Sequence, residues 1–366
     1  MKALNTPIEE FFTKSLMRWH KHTNRRQMPW KGEKDPYKIW LSEIILQQTR
    51  VEQGLAYFEK FISAFPTIKD LAEASDEKVY KLWEGLGYYS RCSNLLLTAR
   101  EISNTRKGIF PKTFDEVIVL KGVGNYTASA IMSFAYNKPY AVLDGNVFRV
   151  LARFFGIEKP IDSTDGKKYF SELSRKLIDK KKPALYNQAI MDFGAVVCKP
   201  ALPLCSECNL NKHCIAFNSQ MVNILPIKEK KIKQEKRFFN YVVFTSRGKV
   251  LVNKRMDKDV WKNLNEFILI EGTATGTLKE LLSNNLVKKY AKSPKEISLS
   301  NPYQQKLTHQ LITVVFLHLE IPVQSAIDGF KWVNKKELKT LAFPRVIRDY
   351  LSDNLVSLNL HSETKK

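Results

Sequence analysis

The sequence predicts a two-part protein, a mainly helical N-terminal part followed by a C-terminal α/β domain. Three observations carry that prediction. Apolar residues recur at helical spacing through residues 1–220, with almost no alternating pattern. A mainly basic stretch without apolar periodicity, Lys228 to Arg237, then reads as a solvated linker. Beyond it the periodicity becomes that of strands.

The elements follow in chain order. Glu9 to His20 sets Phe11, Phe12, Leu16 and Trp19 at helical spacing. Tyr37 to Arg50, Val51 to Ala64, Asp76 to Leu86 and Cys92 to Ile102 repeat the pattern, punctuated at Pro66, Gly85 and Gly87. Phe114 to Leu120, the tight turn Lys121-Gly122-Val123-Gly124, and Asn125 to Tyr136 read as helix, turn, helix. Val147 to Phe155 and Tyr169 to Lys180 are further predicted helices. In the C-terminal part, Phe238 to Thr245, Ser246-Arg247-Gly248 and Lys249 to Asn253 form a predicted hairpin, and Leu311 to Leu319 a core strand. Leu278 to Asn284 and Lys335 to Thr340 read as helices.

Composition narrows the function classes. With 44% hydrophobic and 26% charged residues, disorder over most of the chain is excluded. The 59 Lys and Arg against 37 Asp and Glu leave a net charge of +22. Such an excess points to a polyanionic partner, nucleic acid first and an anionic membrane surface second. No apolar run reaches the roughly 18–20 residues that span a bilayer. Met1 to Glu10 lacks the apolar core of a secretory signal, so a cytoplasmic protein, bacterial by this reading, is expected. Five cysteines in a chain this long do not make a disulfide scaffold.

Three constellations carry chemistry. Cys198, Cys205, Cys208 and Cys214 are spaced C-x6-C-x2-C-x5-C, a soft donor set for one zinc or one [4Fe–4S] cluster. Spacing does not separate the two, and the distant Cys92 reads as a core residue. Gly122 and Gly124, between two helices, permit left-handed backbone and close approach of a ligand. The helix N-terminus that follows suits a DNA phosphate oxygen. The third constellation is a pair of carboxylates. Asp144 precedes Gly145-Asn146-Val147 and an apolar helical set, so it sits at a helix N-terminus as a cap, a position that lowers a carboxyl pKa. Glu43 shares a helical face with Trp40 and Leu46, and an apolar setting raises its pKa. Two carboxyls in opposite environments are the pattern of acid and anion in glycosidic bond cleavage.

Leu120 to Thr127, the Asp144-Gly145-Asn146-Val147 run and the four cysteines together resemble the helix-hairpin-helix, iron–sulfur DNA glycosylases. Ser42-Glu43-Ile44-Ile45-Leu46-Gln47-Gln48-Thr49 narrows the resemblance to adenine DNA glycosylases of the MutY type. The likeness is strong over residues 7–220 and weak beyond. It implies a [4Fe–4S] cluster on the four cysteines and two helical lobes, a six-helix lobe of about residues 30–140 and a cluster lobe of 1–29 and 141–220. The composition shift near Met221 sets a basic linker at 221–237, and the resemblance implies a Nudix-like lesion-recognition domain at 238–366. The implied substrate is double-stranded DNA with adenine opposite 8-oxoguanine or guanine, handled by a monomer. By resemblance Glu43 is the general acid on the base, Asp144 the carboxylate facing the sugar cation, Tyr126 the hydroxyl hydrogen-bonding that carboxylate, and Asn146 a polar partner. Tyr126 stands where lyase-active relatives carry lysine, which implies a monofunctional hydrolase. Gln48 and Tyr88 match positions that wedge into the duplex as the base is flipped. Trp30, Lys31, Leu46 and Gln188 match the adenine pocket, with Lys31 replacing the family's usual arginine and losing its bidentate fork. Leu307, Thr308 and His309 match the loop that reads 8-oxoguanine, with Leu307 in place of an aromatic residue. The Nudix catalytic signature is not found near Glu271 to Leu282, so pyrophosphatase activity is not expected. Two rival readings are an endonuclease III-like pyrimidine glycosylase with lyase activity and a non-catalytic metal-cluster DNA-binding protein.

Overall fold

The structure is a computed structural model that describes residues 6–28, 30–229, 233–354, 358 and 360. The chain forms two compact units that do not follow chain order, one from 1–72 and 94–231, the other from 73–93 and 232–366. The helices are α1 Pro7–His22, α2 Pro36–Leu46, α3 Val51–Ala64, α4 Ile68–Glu73, α5 Asp76–Trp83, α6 Tyr89–Arg106, α7 Phe114–Ile118, α8 Asn125–Phe134, α9 Gly145–Phe155, α10 Thr164–Leu177, α11 Pro183–Val196 and α12 Ile215–Asn218. After them come β1 Glu235–Ser246, β2 Lys249–Lys254, β3 Asn265–Glu266, β4 Ile268–Gly272, α13 Leu278–Ser283, α14 Asn285–Tyr290, β5 Glu296–Leu299, β6 Tyr303–Lys306, β7 Gln310–Glu320, β8 Phe330–Asn334, α15 Lys335–Thr340 and α16 Arg345–Asn354.

In the first unit, one core joins Phe12, Leu16 and Trp19 of α1 to Val147, Val150 and Phe154 of α9 and to Tyr186, Ile190 and Phe193 of α11. The N-terminal helix therefore closes on helices more than 120 residues away, as its amphipathic face requires. α2 packs on α8, and its Gln47 Nε2 donates to Thr127 Oγ1 at 3.3 Å. Residues 221–227, expected in the linker, pack here instead. Leu225 is buried, and the Ile161 N–H donates to the Ile227 carbonyl at 3.0 Å.

The second unit is built on a mixed sheet of order β3-β2-β1-β7-β5, with β4 beside β1, β6 beside β7 and β8 beside β2. β1 and β7 run parallel from Glu235↔Gln310 to Thr245↔Glu320. Every other pair is antiparallel. Side chains alternate across the strands. Val242, Phe244, Val315 and Leu317 face Leu281 of α13 and Val287 of α14. Tyr241 and Phe316 form an aromatic stack on which Tyr350 of α16 lies, its ring 3.9 Å from Phe316. β1 begins at Glu235, three residues before the expected Phe238, because its basic start is anchored: Arg237 spans Asp259 and Glu271 with bonds of 2.7 Å.

Candidate active site

α2 is capped by Asp35, whose side chain accepts from the Tyr37 N–H at 2.9 Å, and starts with proline, which pre-sets the helical φ. It is buried nearly all round, and Glu43 within it is only 6% exposed. Removal from water dominates its chemistry. Burial, with a smaller contribution from the Asp144 charge, pushes the Glu43 carboxyl up to about 7, against a hydrogen bond from Tyr126.

The turn before α8 is built by its glycines in different ways. Gly122 has φ +77°, and a Cβ there would meet Asn94 Cβ at 2.8 Å. Gly124 is extended, with φ −100° and ψ 178°, and caps α8 without a side chain. A Cβ at Gly124 would meet nothing within 4 Å, so its absence leaves the first N–H groups of α8 open to an approaching anion. The turn carbonyl of Lys121 is pinned by Thr98 Oγ1 at 3.0 Å.

Two residues into α8, Tyr126 reaches the carboxylates. Both Glu43 and Asp144 act on its hydroxyl, Glu43 the more strongly. Burial and both negative neighbours push the phenol well above its ordinary value.

Asp144 is the N-cap of α9, with Oδ1 accepting from the Val147 N–H at 2.7 Å and Oδ2 from Asn146 Nδ2 at 3.0 Å. Its pKa is nevertheless raised, which overturns the sequence expectation of a lowered one. Burial outweighs the N–H donors and the Arg149 charge that pull it down. The two carboxyls are therefore both shifted upward rather than in opposite directions. Asn146 is held in turn by Arg149, whose Nη2 donates to Asn146 Oδ1 and to the Gly194 carbonyl, both at 2.8 Å. α11 can come this close because Gly194 lacks a side chain; a Cβ there would meet Asn146 Cβ at 2.7 Å.

A cleft of about 1090 Å³ collects these groups. Trp30, Lys31, Glu43, Leu46, Gln48, Gly122, Gly124, Tyr126, Asp144, Asn146 and Gln188 all line it. Lys31 is committed within the protein, donating to Asp192 Oδ2 at 3.2 Å and to the Arg26 carbonyl at 2.8 Å. Arg149, Asp192, Arg26 and His20 were not singled out from sequence. A lone Asp or Arg within a helix carries no spacing signal, and these act through partners far along the chain.

The remaining predicted residues lie elsewhere. Tyr88 is in the second unit, 43% exposed, with its hydroxyl hydrogen-bonded to Thr308. Leu307, Thr308 and His309 form the tip of the β6–β7 hairpin, where the Leu307 N–H donates to the Gln310 carbonyl at 2.7 Å. Gln48 and Tyr88 both hold left-handed backbone, with φ of 56° and 48°. Residues of their bulk rarely do so, and such strain concentrates at functional sites.

Cys198, Cys205, Cys208 and Cys214 line one shared pocket. Burial pushes the Cys208 thiol up to about 12 and raises Cys205 and Cys214, so these three thiols are protonated unless a cation holds them. Arg153 Nη1 lies 3.5 Å from Cys198 Sγ, a donor that would stabilise a thiolate. Among the described residues no group of three or more His, Cys, Asp or Glu is set to hold one metal ion. Four soft sulfur donors sharing one pocket suit a thiolate-bound metal centre.

Comparison with known proteins places the chain among DNA repair proteins. Residues 41–180 match the HhH-GPD superfamily of base excision DNA repair proteins, and 240–353 match the NUDIX domain. A solved thermostable thymine-DNA glycosylase shares 29% identity, with a TM-score of 0.54 over 58% of this chain and 97% of its own. Fold and site thus define a DNA N-glycosylase of the helix-hairpin-helix class. The adenine DNA glycosylase of Buchnera aphidicola subsp. Baizongia pistaciae is 30% identical over 96% of this chain and 99% of its own. That of Buchnera aphidicola subsp. Schizaphis graminum is 32% identical over 93% and 97%. The chain belongs to the adenine DNA glycosylase family of base excision repair. Among the described residues no helix is long and apolar enough to cross a membrane.

Proposed function

We propose that the protein removes adenine mispaired with 8-oxoguanine or guanine, by acid-assisted hydrolysis of the N-glycosidic bond. The observation that carries this reading is the pairing of Glu43 and Asp144 in one cleft, with the Glu43 carboxyl at about 7. A carboxyl at that value keeps a proton to give at neutral pH. The base enters the cleft flipped out of the duplex, and Glu43 protonates it as the bond to the sugar breaks. Asp144 faces the cationic sugar, held in place by the Val147 N–H and by Asn146. Water completes hydrolysis with retained configuration and leaves an abasic site. Tyr126 has no amine to form a Schiff base, so the strand is not cut.

The turn at Gly122 and Gly124 binds phosphate through backbone N–H groups. Gln48 and Tyr88 fill the gap left by the flipped base, and Leu307, Thr308 and His309 read the 8-oxoguanine. Cys198, Cys205, Cys208 and Cys214 hold a [4Fe–4S] cluster, which when bound supplies one-electron redox chemistry and ties their loop together. The protein acts as a monomer in the cytoplasm.

The test is Asp144→Asn. Asparagine keeps an oxygen for the Val147 N–H and loses the charge facing the sugar. Excision of adenine opposite 8-oxoguanine under single turnover should fall by orders of magnitude, with duplex binding nearly intact because phosphate contacts supply most of the affinity. Near-normal excision by this variant would reduce Asp144 to a helix cap.

A further inference from the structure

Four side chains converge on Asp192 of α11, a carboxylate with no exposure at all. Asn24 Nδ2 donates to it at 2.8 Å, Arg26 Nη1 at 3.0 Å, Lys31 Nζ at 3.2 Å and Gln188 Nε2 at 3.0 Å. Arg26, Lys31 and Gln188 line the cleft that holds Glu43, and so does His20. Asn24 joins His20 to this hub, and its orientation is fixed from both ends. Its Oδ1 accepts from the Arg26 N–H at 3.0 Å. Its amide nitrogen faces a carboxylate oxygen, which only accepts. The same nitrogen lies 3.0 Å from His20 Nδ1. Since Asn24 must donate there, Nδ1 must carry the lone pair, and the ring proton belongs on Nε2.

We propose that Asp192, acting through Asn24, holds His20 as a neutral Nε2–H donor in the wall of the cleft, where it reads a ring-nitrogen acceptor on the edge of the flipped adenine. This rests on the reading that the cleft receives adenine. Burial and the neighbouring Lys31 charge lower the His20 pKa, against Asp192, which raises it. A neutral donor recognises an acceptor without adding positive charge beside a base that is itself about to be protonated. Read at N1, such a donor also rejects guanine, which carries a hydrogen there where adenine has a lone pair. Asp192 and Asn24 are positioning residues, and His20 is the group that meets the base.

The test uses the full chain with ¹⁵N-labelled histidine. Long-range ¹H–¹⁵N spectra should show wild-type His20 protonated on Nε2. Asp192→Asn should move the proton toward Nδ1, and if that variant does not fold, Asn24→Leu removes the same donor while Asp192 keeps Arg26 and Lys31. Single-turnover excision is then compared on adenine, 1-deazaadenine and 3-deazaadenine opposite 8-oxoguanine. His20→Phe should lose about three- to tenfold on adenine, the scale of one neutral hydrogen bond. It should lose nothing further on the one analogue that lacks the matching nitrogen. Wild-type His20 found with its proton on Nδ1, unchanged excision by His20→Phe, or additive losses on both analogues would overturn the proposal. Failure of wild-type protein to excise adenine at all would instead sink the functional reading and leave the tautomer result standing by itself.

Discussion

Glu43→Gln separates the chemical role of this carboxyl from its structural one, because the two respond to pH differently. Glutamine keeps the shape and an acceptor for Tyr126 but has no proton to give. Burial lifts the Glu43 carboxyl from 4.5 to about 7. A carboxyl of ordinary value is protonated in about 0.3% of molecules at pH 7, and one at about 7 in about half, so the fold raises the supply of acid roughly a hundredfold. The wild-type excision rate should fall about tenfold per pH unit above 7, and it should fall again toward acid pH as Asp144, itself raised by burial, takes up a proton and loses the charge that faces the sugar. The variant should be inactive throughout. Stability gives an independent readout. A carboxyl raised in the folded state costs nothing below its unfolded value of 4.5, and its cost grows as pH rises until it is complete above about 7. The rise corresponds to roughly 3 kcal/mol at most. Urea denaturation should therefore show Glu43→Gln more stable than wild type by up to about 3 kcal/mol at pH 8, with the gap closing toward pH 4.5. A wild-type rate flat from pH 6 to 9, with an equal stability gap at both ends, would refute the reasoning.

Other consequences are as direct. Purified protein should be yellow-brown with iron and sulfide near four each, and Cys208→Ser should bleach it and weaken DNA binding; a colourless active protein holding one zinc would contradict the cluster. Borohydride should trap almost no covalent complex with wild type, whereas Tyr126→Lys should introduce trapping and strand nicking. Thr308→Ala removes the hydroxyl bonded to Tyr88 and should cut the preference for 8-oxoguanine over guanine by about 0.5–1.5 kcal/mol, read as the ratio of single-turnover rates on the two duplexes.

Much of the architecture is legible in the sequence. Helices with one apolar face, such as α1, α3 and α9, carry the 3.6-residue period openly. α11 does not, because its interior face holds Asn187 and Asp192, both without exposure, and polar residues there break the period. The pairing of β4, β5 and β8 depends on partners far along the chain, and they are too short to announce themselves. Glu43 could be placed by its apolar neighbours, whereas the pKa of Asp144 could not. A helix N-terminus is visible in sequence, but the depth of burial that overrides it is not. Residues 73–93 read as one more piece of the helical part and belong instead with residues 232–366, where α5 packs against α15.

The central claim is tested most directly on duplexes carrying a single adenine opposite 8-oxoguanine, guanine, cytosine or thymine, resolved on a denaturing gel before and after hot alkali. Cleavage at the adenine only after alkali, and only opposite 8-oxoguanine or guanine, is the predicted result. Cleavage without alkali, cleavage at a pyrimidine, or no alkali-labile site in any duplex would contradict it.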